Sequence, residues 1–174
     1  MHTRSIPVTP VQGTRSLFVL RALCFIALFA VLAGAQAVEQ RQLDQGWEFR
    51  RISAGAGDED PAGIGFAWRP ASMPGTVHTD LLAHGLIPDP YVGAPEAGLQ
   101  WIGLADWEYR TTFQVSGRVH RAARSELAFE GLDTFAEVFL NDEKVLDADN
   151  AFRTWRIPVQ GRLREGANEL RVVL

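Results

Sequence analysis

Trp107-Glu108-Tyr109-Arg110-Thr111-Thr112-Phe113-Gln114-Val115 is the stretch on which the fold turns. Trp107, Tyr109, Thr111, Phe113 and Val115 alternate with Glu108, Arg110, Thr112 and Gln114. A period of two describes a strand with one buried and one solvated face. The pattern recurs downstream. Leu127 and Phe129 alternate with Glu126 and Glu130, and Ala136, Val138 and Leu140 alternate with Glu137, Phe139 and Asn141. Asn141-Asp142-Glu143 then predicts a tight turn into Lys144-Val145-Leu146. Near the end, Leu170, Val172 and Leu174 alternate with Glu169, Arg171 and Val173.

Two kinds of segment interrupt the strands. Thr76 to His84 reads as a short helix, stopped by Gly85 with Pro88 beyond. Gly85 to Gly98 is a loop rich in Gly and Pro, and the acidic, Gly-containing stretch from Ser53 to Pro61 predicts a mobile surface loop. Short strands with frequent turns predict an all-β, antiparallel sandwich with one short helix and long loops. Periodicity alone leaves jelly-roll and immunoglobulin wiring both open.

The 174 residues suit one domain, and 47% of them are hydrophobic, enough for a core. Sixteen Gly and nine Pro favour turns over long helices. A formal charge of −4 argues against a nucleic-acid partner. The charge is unevenly spread: residues 1–37 hold Arg4, Arg15 and Arg21 and no acid, so without them the charge falls to −7. Arg15 and Arg21 precede an apolar run from Ala22 to Ala33, and Ala35-Gln36-Ala37 offers small residues for cleavage. That is the pattern of a signal peptide over 1–37, with the domain occupying 38–174 and the product secreted or periplasmic. The apolar run is too short to serve comfortably as a permanent membrane anchor, which takes about 20 residues. Cys24 lies inside the run and is the chain's one cysteine, so the remainder depends on its core and not on disulfides.

Several ordered motifs carry a resemblance. They are W-R-P-A-S-M-P-G-T-V-H-T-D-L-L from Trp68, G-L-I-P-D-P-Y-V-G-A-P-E-A-G-L-Q-W from Gly85 and A-D-W-E-Y-R-T-T-F from Ala105. F-E-G-L-D-T-F-A-E-V-F-L-N-D follows from Phe129, and D-N-A-F-R-T-W from Asp149. Together they resemble the amino-terminal domain of β-mannosidases of the glycoside hydrolase family 2 type. The resemblance implies a jelly-roll-like sandwich, called the sugar-binding domain, in front of an immunoglobulin-like domain and a (β/α)8 barrel. It implies that the complete enzyme removes terminal, non-reducing β-D-mannose from oligosaccharides with retention and without a cofactor. Both catalytic glutamates of that family lie in the barrel, so no catalytic residue is expected in this chain, which reads as a fragment.

Within the resemblance, loops of this domain border the barrel's active site. Tyr91, Glu96 and Trp101 are the candidates for that rim: an indole stacks on a sugar's C–H face and a carboxylate accepts its hydroxyl hydrogens. Many relatives carry Asn-Glu where this chain has Pro95-Glu96. Asp106, Trp107, Asp133, Asp149, Asn150 and Arg153 are expected to be structural. Asp149 and Asn150 would set a turn through side-chain-to-backbone bonds, and Arg153 would pair with a carboxylate such as Asp133. No metal site is expected. His78 and His84 are separated by about 600° of helical rotation, so they do not share a face. His78 is instead expected to bond a backbone group or pack beneath the helix.

The chain's last residues, Glu169-Leu170-Arg171-Val172-Val173-Leu174, stop in mid-strand with no polar tail. Strands missing beyond such an end, and an exposed face that the barrel should cover, would make residues 38–174 poorly soluble or partly unfolded when produced alone. Two other readings stand beside the first: a free-standing carbohydrate-binding module, and a family 2 glycosidase acting on another sugar.

Overall fold

The computed structural model describes residues 38–53, 63–92 and 96–174. The expected signal peptide over 1–37 and nearly all of the acidic loop after Ser53 fall outside them. The chain divides into two units, Met1–Arg41 and Gln42–Leu174. In the first, only residues 38–41 are described, and they are irregular.

The second unit is a sandwich of two antiparallel sheets. Among the described residues, eight strands run β1 (Glu48–Arg51), β2 (Arg69–Pro70), β3 (Trp107–Val115), β4 (Glu126–Phe129), β5 (Ala136–Leu140), β6 (Glu143–Ala148), β7 (Trp155–Pro158) and β8 (Gly166–Val173). Six form one sheet in the order β2-β1-β3-β8-β5-β6, and β4 and β7 pair as the other. The chain leaves the large sheet at β3, crosses to β4 and returns at β5. It crosses again from β6 to β7 and returns at β8. This is the jelly-roll-like wiring that periodicity left undecided.

Register follows the hydrophobic pattern, because a one-residue slip would turn every apolar side chain outward. One row across the large sheet is Phe49, Tyr109, Val172, Val138 and Leu146. The first four are buried, and Phe49 stacks on Tyr109 with ring centroids 5.7 Å apart. The turn between β5 and β6 has Asn141 at φ 53° and Asp142 at φ 70°, the left-handed pair that matches the twist of a two-residue hairpin.

The expected helix is present as α1 (Val77–Ala83). Thr76 caps it in a box with Thr79: the Thr79 amide donates to Thr76 Oγ1 at 3.2 Å, and the Thr76 amide to Thr79 Oγ1 at 2.8 Å. Gly85 ends it at φ +67°. Asp80 ties α1 to the sheet. It is 2% exposed and accepts from the Ser72 amide at 2.9 Å and from the Tyr109 hydroxyl at 3.0 Å. A Cβ on Gly75 would overlap the Ser72 carbonyl oxygen, so the M-P-G-T-V-H-T-D stretch packs too tightly there for any side chain.

Four expectations change. Helix is more abundant than one segment: α2 (Glu96–Leu99), a 3₁₀ turn (Gln100–Leu104) and α3 (Gly117–His120) are also present. All three are too short to show a period. His84, not His78, bonds the backbone, with its Nε2 2.7 Å from the Pro70 carbonyl, while His78 is exposed. Glu108, placed by alternation on a solvated face, is 4% exposed. Arg50 from β1 and Arg171 from β8 close over it at 2.5 Å and 3.1 Å, so the carboxylate bridges three strands. Finally, β8 is not an open edge. It lies between β3 and β5, and the Leu174 amide and carbonyl both bond Trp107, at 2.8 Å and 3.1 Å.

Candidate functional site at one end of the sandwich

The registers bring the sequence motifs to one end of the second unit's sandwich. Arg51 pairs with Trp107, Trp107 bonds Leu174, and Ala136 pairs with Ala148. These residues form the last row of the large sheet. Phe129 and Trp155 close the small sheet, and the links 130–135 and 149–154 join that row to the sheet's own last row. Asp106, Asp133, Asp149, Asn150 and Arg153 therefore collect just beyond the strand ends at one pole, although they span more than forty positions of sequence. Strand ends hold a connection rigidly while leaving its side chains free, which is why binding groups are found there.

Each link has its own local logic. Asn150 Oδ1 accepts the Phe152 amide at 2.8 Å, the Asx turn expected of it. The same residue's carbonyl accepts from Trp155 Nε1 at 3.4 Å. Asp149 is exposed and forms no such bond among the described residues. Asp133 Oδ1 accepts the Thr134 amide at 2.6 Å. The expected pair between Arg153 and Asp133 does not form. Arg153 instead lays its guanidinium over the Trp155 indole, 4.1 Å from the ring centroid. The Asp106 amide donates to Ser53 Oγ at 3.1 Å and its carbonyl accepts from Ile52 at 3.0 Å, which ties the β3 entry to the β1 exit. Trp107 is buried and donates its indole N–H to the Ile102 carbonyl at 2.9 Å.

The three rim candidates differ in situation. Trp101 sits in the 3₁₀ turn, half-buried, tilted against Trp107 at 6.1 Å and 44°. The buried Arg51 guanidinium lies 5.8 Å from its ring. Tyr91 is 96% exposed, its amide held by Asp89 Oδ1 at 2.9 Å. Glu96 is the first residue of α2, described here through its backbone only, and Pro95 lies outside the described residues.

Sequence reasoning missed the apolar character of this pole. Phe152 is 101% exposed and Phe135 75%, and Leu104, just before β3, is 66% exposed. The available signal was an apolar residue inside a polar turn: Phe152 stands between Asn150 and Arg153, where no alternation calls for it.

Among the described residues, the two buried carboxylates, Asp80 and Glu108, do not form a hydrolytic pair. Asp80 is taken by Ser72 and Tyr109, and Glu108 by Arg50 and Arg171. A retaining glycosidase needs two carboxyl groups about 5–5.5 Å apart and free to reach one glycosidic bond. Among the described residues no group of three or more His, Cys, Asp or Glu could hold a metal ion.

Comparison with known proteins agrees with this architecture. Residues 47–174 match the family described as glycosyl hydrolase 2 galactose-binding domain-like. β-Mannosidase B of Thermothelomyces thermophilus is 43% identical over 128 residues, covering 74% of this chain and 14% of that protein. β-Mannosidase B of Aspergillus terreus is 39% identical over 121 residues, covering 69% and 13%. Among solved structures, the β-D-mannosidase of Dictyoglomus thermophilum superposes with a TM-score of 0.70 at 42% identity, over 79% of this chain and 16% of that one. The chain thus spans about a seventh of the length of these relatives, and it belongs to the glycosyl hydrolase 2 galactose-binding domain-like family.

Proposed function

We propose that the chain is the amino-terminal domain of a secreted β-mannosidase-like glycoside hydrolase, which removes terminal, non-reducing β-D-mannose residues with retention. The observation that carries this reading is the 43% identity to a β-mannosidase B over 128 residues that make up only 14% of that protein. In this reading the chemistry belongs to a downstream (β/α)8 barrel, where both catalytic glutamates of the resembled family lie. This domain supports the barrel and borders its substrate entrance. The acids and aromatics at the strand-end pole are its contribution, with Tyr91, Glu96 and Trp101 on the rim. No cofactor is needed by that chemistry, and nucleic acid has no part in it. Residues 1–37 direct export, which amino-terminal sequencing of the mature protein would test by the residue at which it begins.

The deciding assay uses the complete protein on aryl β-mannoside, β-glucuronide and β-galactoside. Selective hydrolysis of the mannoside is expected, and selectivity for another sugar would replace the assignment with a different glycosidase. Trp101→Ala in the complete protein is expected to raise KM several-fold with little change in kcat, since a stacking contact made equally in ground and transition states is uniform binding. Unchanged kinetics would reduce Trp101 to a packing residue. Residues 38–174 alone are expected to hydrolyse none of the three. Measurable glycan affinity of that piece alone would favour a carbohydrate-binding module, with Tyr91 as its exposed aromatic.

A further inference from the structure

Arg51 is the one buried cation among the described residues, at 2% exposure. The other cations that meet aromatic rings on the large sheet, Arg50, Arg110 and Arg171, lie half-buried on its outward face. Arg51 takes an inward position, because Phe49 and Arg51 are the two buried residues of β1. Arginine is almost never fully buried unless its charge is engaged, and its removal from water has to be offset by its contacts. Those contacts join three segments. Arg51 Nε donates to the Ser53 carbonyl at 2.8 Å, at the exit of β1. The guanidinium carbon lies 5.9 Å from the ring centroid of Phe66, in the turn before β2, and 5.8 Å from that of Trp101, in the 3₁₀ turn. Both rings are within the roughly 6 Å over which a π face attracts a cation.

The 3₁₀ turn depends on contacts of this kind. Leu99 precedes it and makes no side-chain cap bond. Trp107 grips the turn from β3, with its indole N–H on the Ile102 carbonyl at 2.9 Å and its ring tilted against Trp101. Arg51 is the direct partner of Trp107 across the β1–β3 ladder, so the two gripping residues are themselves fixed to each other. A ring that stacks on a sugar must keep its plane, and it keeps it only if the side chains behind it are locked. We propose that Arg51 is a positioning residue for Trp101: it touches no substrate, and it sets the plane in which the indole meets the sugar. The inference rests on the reading of Trp101 as a rim residue of a glycosidase, and it adds the side chain that orients it. Lysine cannot substitute fully, because an ammonium lacks the planar fork that bonds a carbonyl on one edge while lying against rings.

A double-mutant cycle in the complete protein tests it. Arg51→Lys and Arg51→Met are each made alone and together with Trp101→Ala. KM and kcat are measured on the aryl glycoside that the protein hydrolyses. Near-ultraviolet circular dichroism, taken as the difference from Trp101→Ala, reports the Trp101–Trp107 pair. Arg51→Lys is expected to raise KM about threefold with little change in kcat, and to weaken the signal of the tryptophan pair. In the Trp101→Ala background neither Arg51 substitution is expected to raise KM further, because a residue that acts through another is not additive with it. KM increases that multiply in the double variants overturn the proposal, since Arg51 then acts apart from Trp101. An undiminished tryptophan-pair signal in the folded Arg51 variants also overturns it, and leaves Arg51 a core residue that affects only the melting temperature. Arg51→Met is the more severe change; where it does not fold, Arg51→Lys, which keeps the charge, decides. An unchanged KM in Trp101→Ala removes the rim reading by itself, and the tryptophan-pair signal of Arg51→Lys then decides the orienting contact alone.

Discussion

Tyr109 and Asp80 show how one buried hydrogen bond can set a pH limit. Burial raises the Tyr109 pKa above the usual phenol range, and the neighbouring Asp80 charge and hydrogen bond raise it further. The folded state therefore holds this proton more firmly than the unfolded chain does. Its contribution is present in full below about pH 10, the pKa of an unfolded tyrosine, and is lost as pH climbs beyond it. Urea unfolding of residues 42–174 at rising pH is expected to show stability falling from about pH 10 upward. Tyr109→Phe removes most of that slope and costs about 1 kcal/mol at neutral pH. Lys144, raised by its hydrogen bonds to Asp147 and Glu137, leaves a residual slope of the same sign. An unaltered alkaline limb in Tyr109→Phe would show that the Asp80 link does not govern it. Asn168 is the second such residue. It is 1% exposed, its Oδ1 accepts from the Arg164 amide at 2.8 Å and from Asn141 Nδ2 at 2.8 Å, and its Nδ2 donates to the Arg164 carbonyl at 2.7 Å. Asn168→Ala strands those groups and is expected to cost about 2–3 kcal/mol in the same measurement; a loss below about 0.5 kcal/mol would mean water replaces the side chain.

At the scale of elements, the sequence was most legible where one periodicity ran long enough to be unambiguous. The buried positions of β3, β5 and β8 were readable from alternation, and α1 from Thr76 and Gly85. Strand partners were not, because alternation fixes a face and says nothing about neighbours. Glu108 illustrates the gap: its burial depends on Arg50 and Arg171 arriving from strands 58 and 63 residues away. The motif residues were legible as a set, but their gathering at one pole needed the register. Arg153 was misassigned because its nearest partner, Trp155, is a ring and the sequence favoured a carboxylate. The hairpin between β5 and β6 carries an element-scale prediction. Asp142 adopts φ 70°, which costs a side-chain-bearing residue energy that glycine avoids. Asp142→Gly converts the turn to Asn-Gly and is expected to stabilise the domain by about 0.5–1 kcal/mol. A destabilised variant would mean that the Asp142 side chain makes a compensating contact.

For the whole molecule, the contrast between interior and pole decides how the domain behaves by itself. The interior is self-sufficient. Its core runs from Trp47 to Val172, no buried side-chain nitrogen or oxygen among the described residues lacks a partner, and β8 is paired on both sides. The expectation of poor solubility therefore draws no support from β8, and what remains of it is the exposed apolar pole. Residues 42–174 produced alone are expected to unfold cooperatively in dilute solution and to associate as concentration rises, because Phe135 and Phe152 have no cover. Sedimentation velocity across a concentration series tests this, with Phe135→Ser/Phe152→Ser as the companion. Association that the double substitution abolishes, without a lowered melting temperature, places the self-contact at the pole. Association that persists would move it to the remaining strand edges, at β2, β6 and the small sheet, where unpaired backbone groups are the alternative source of attraction.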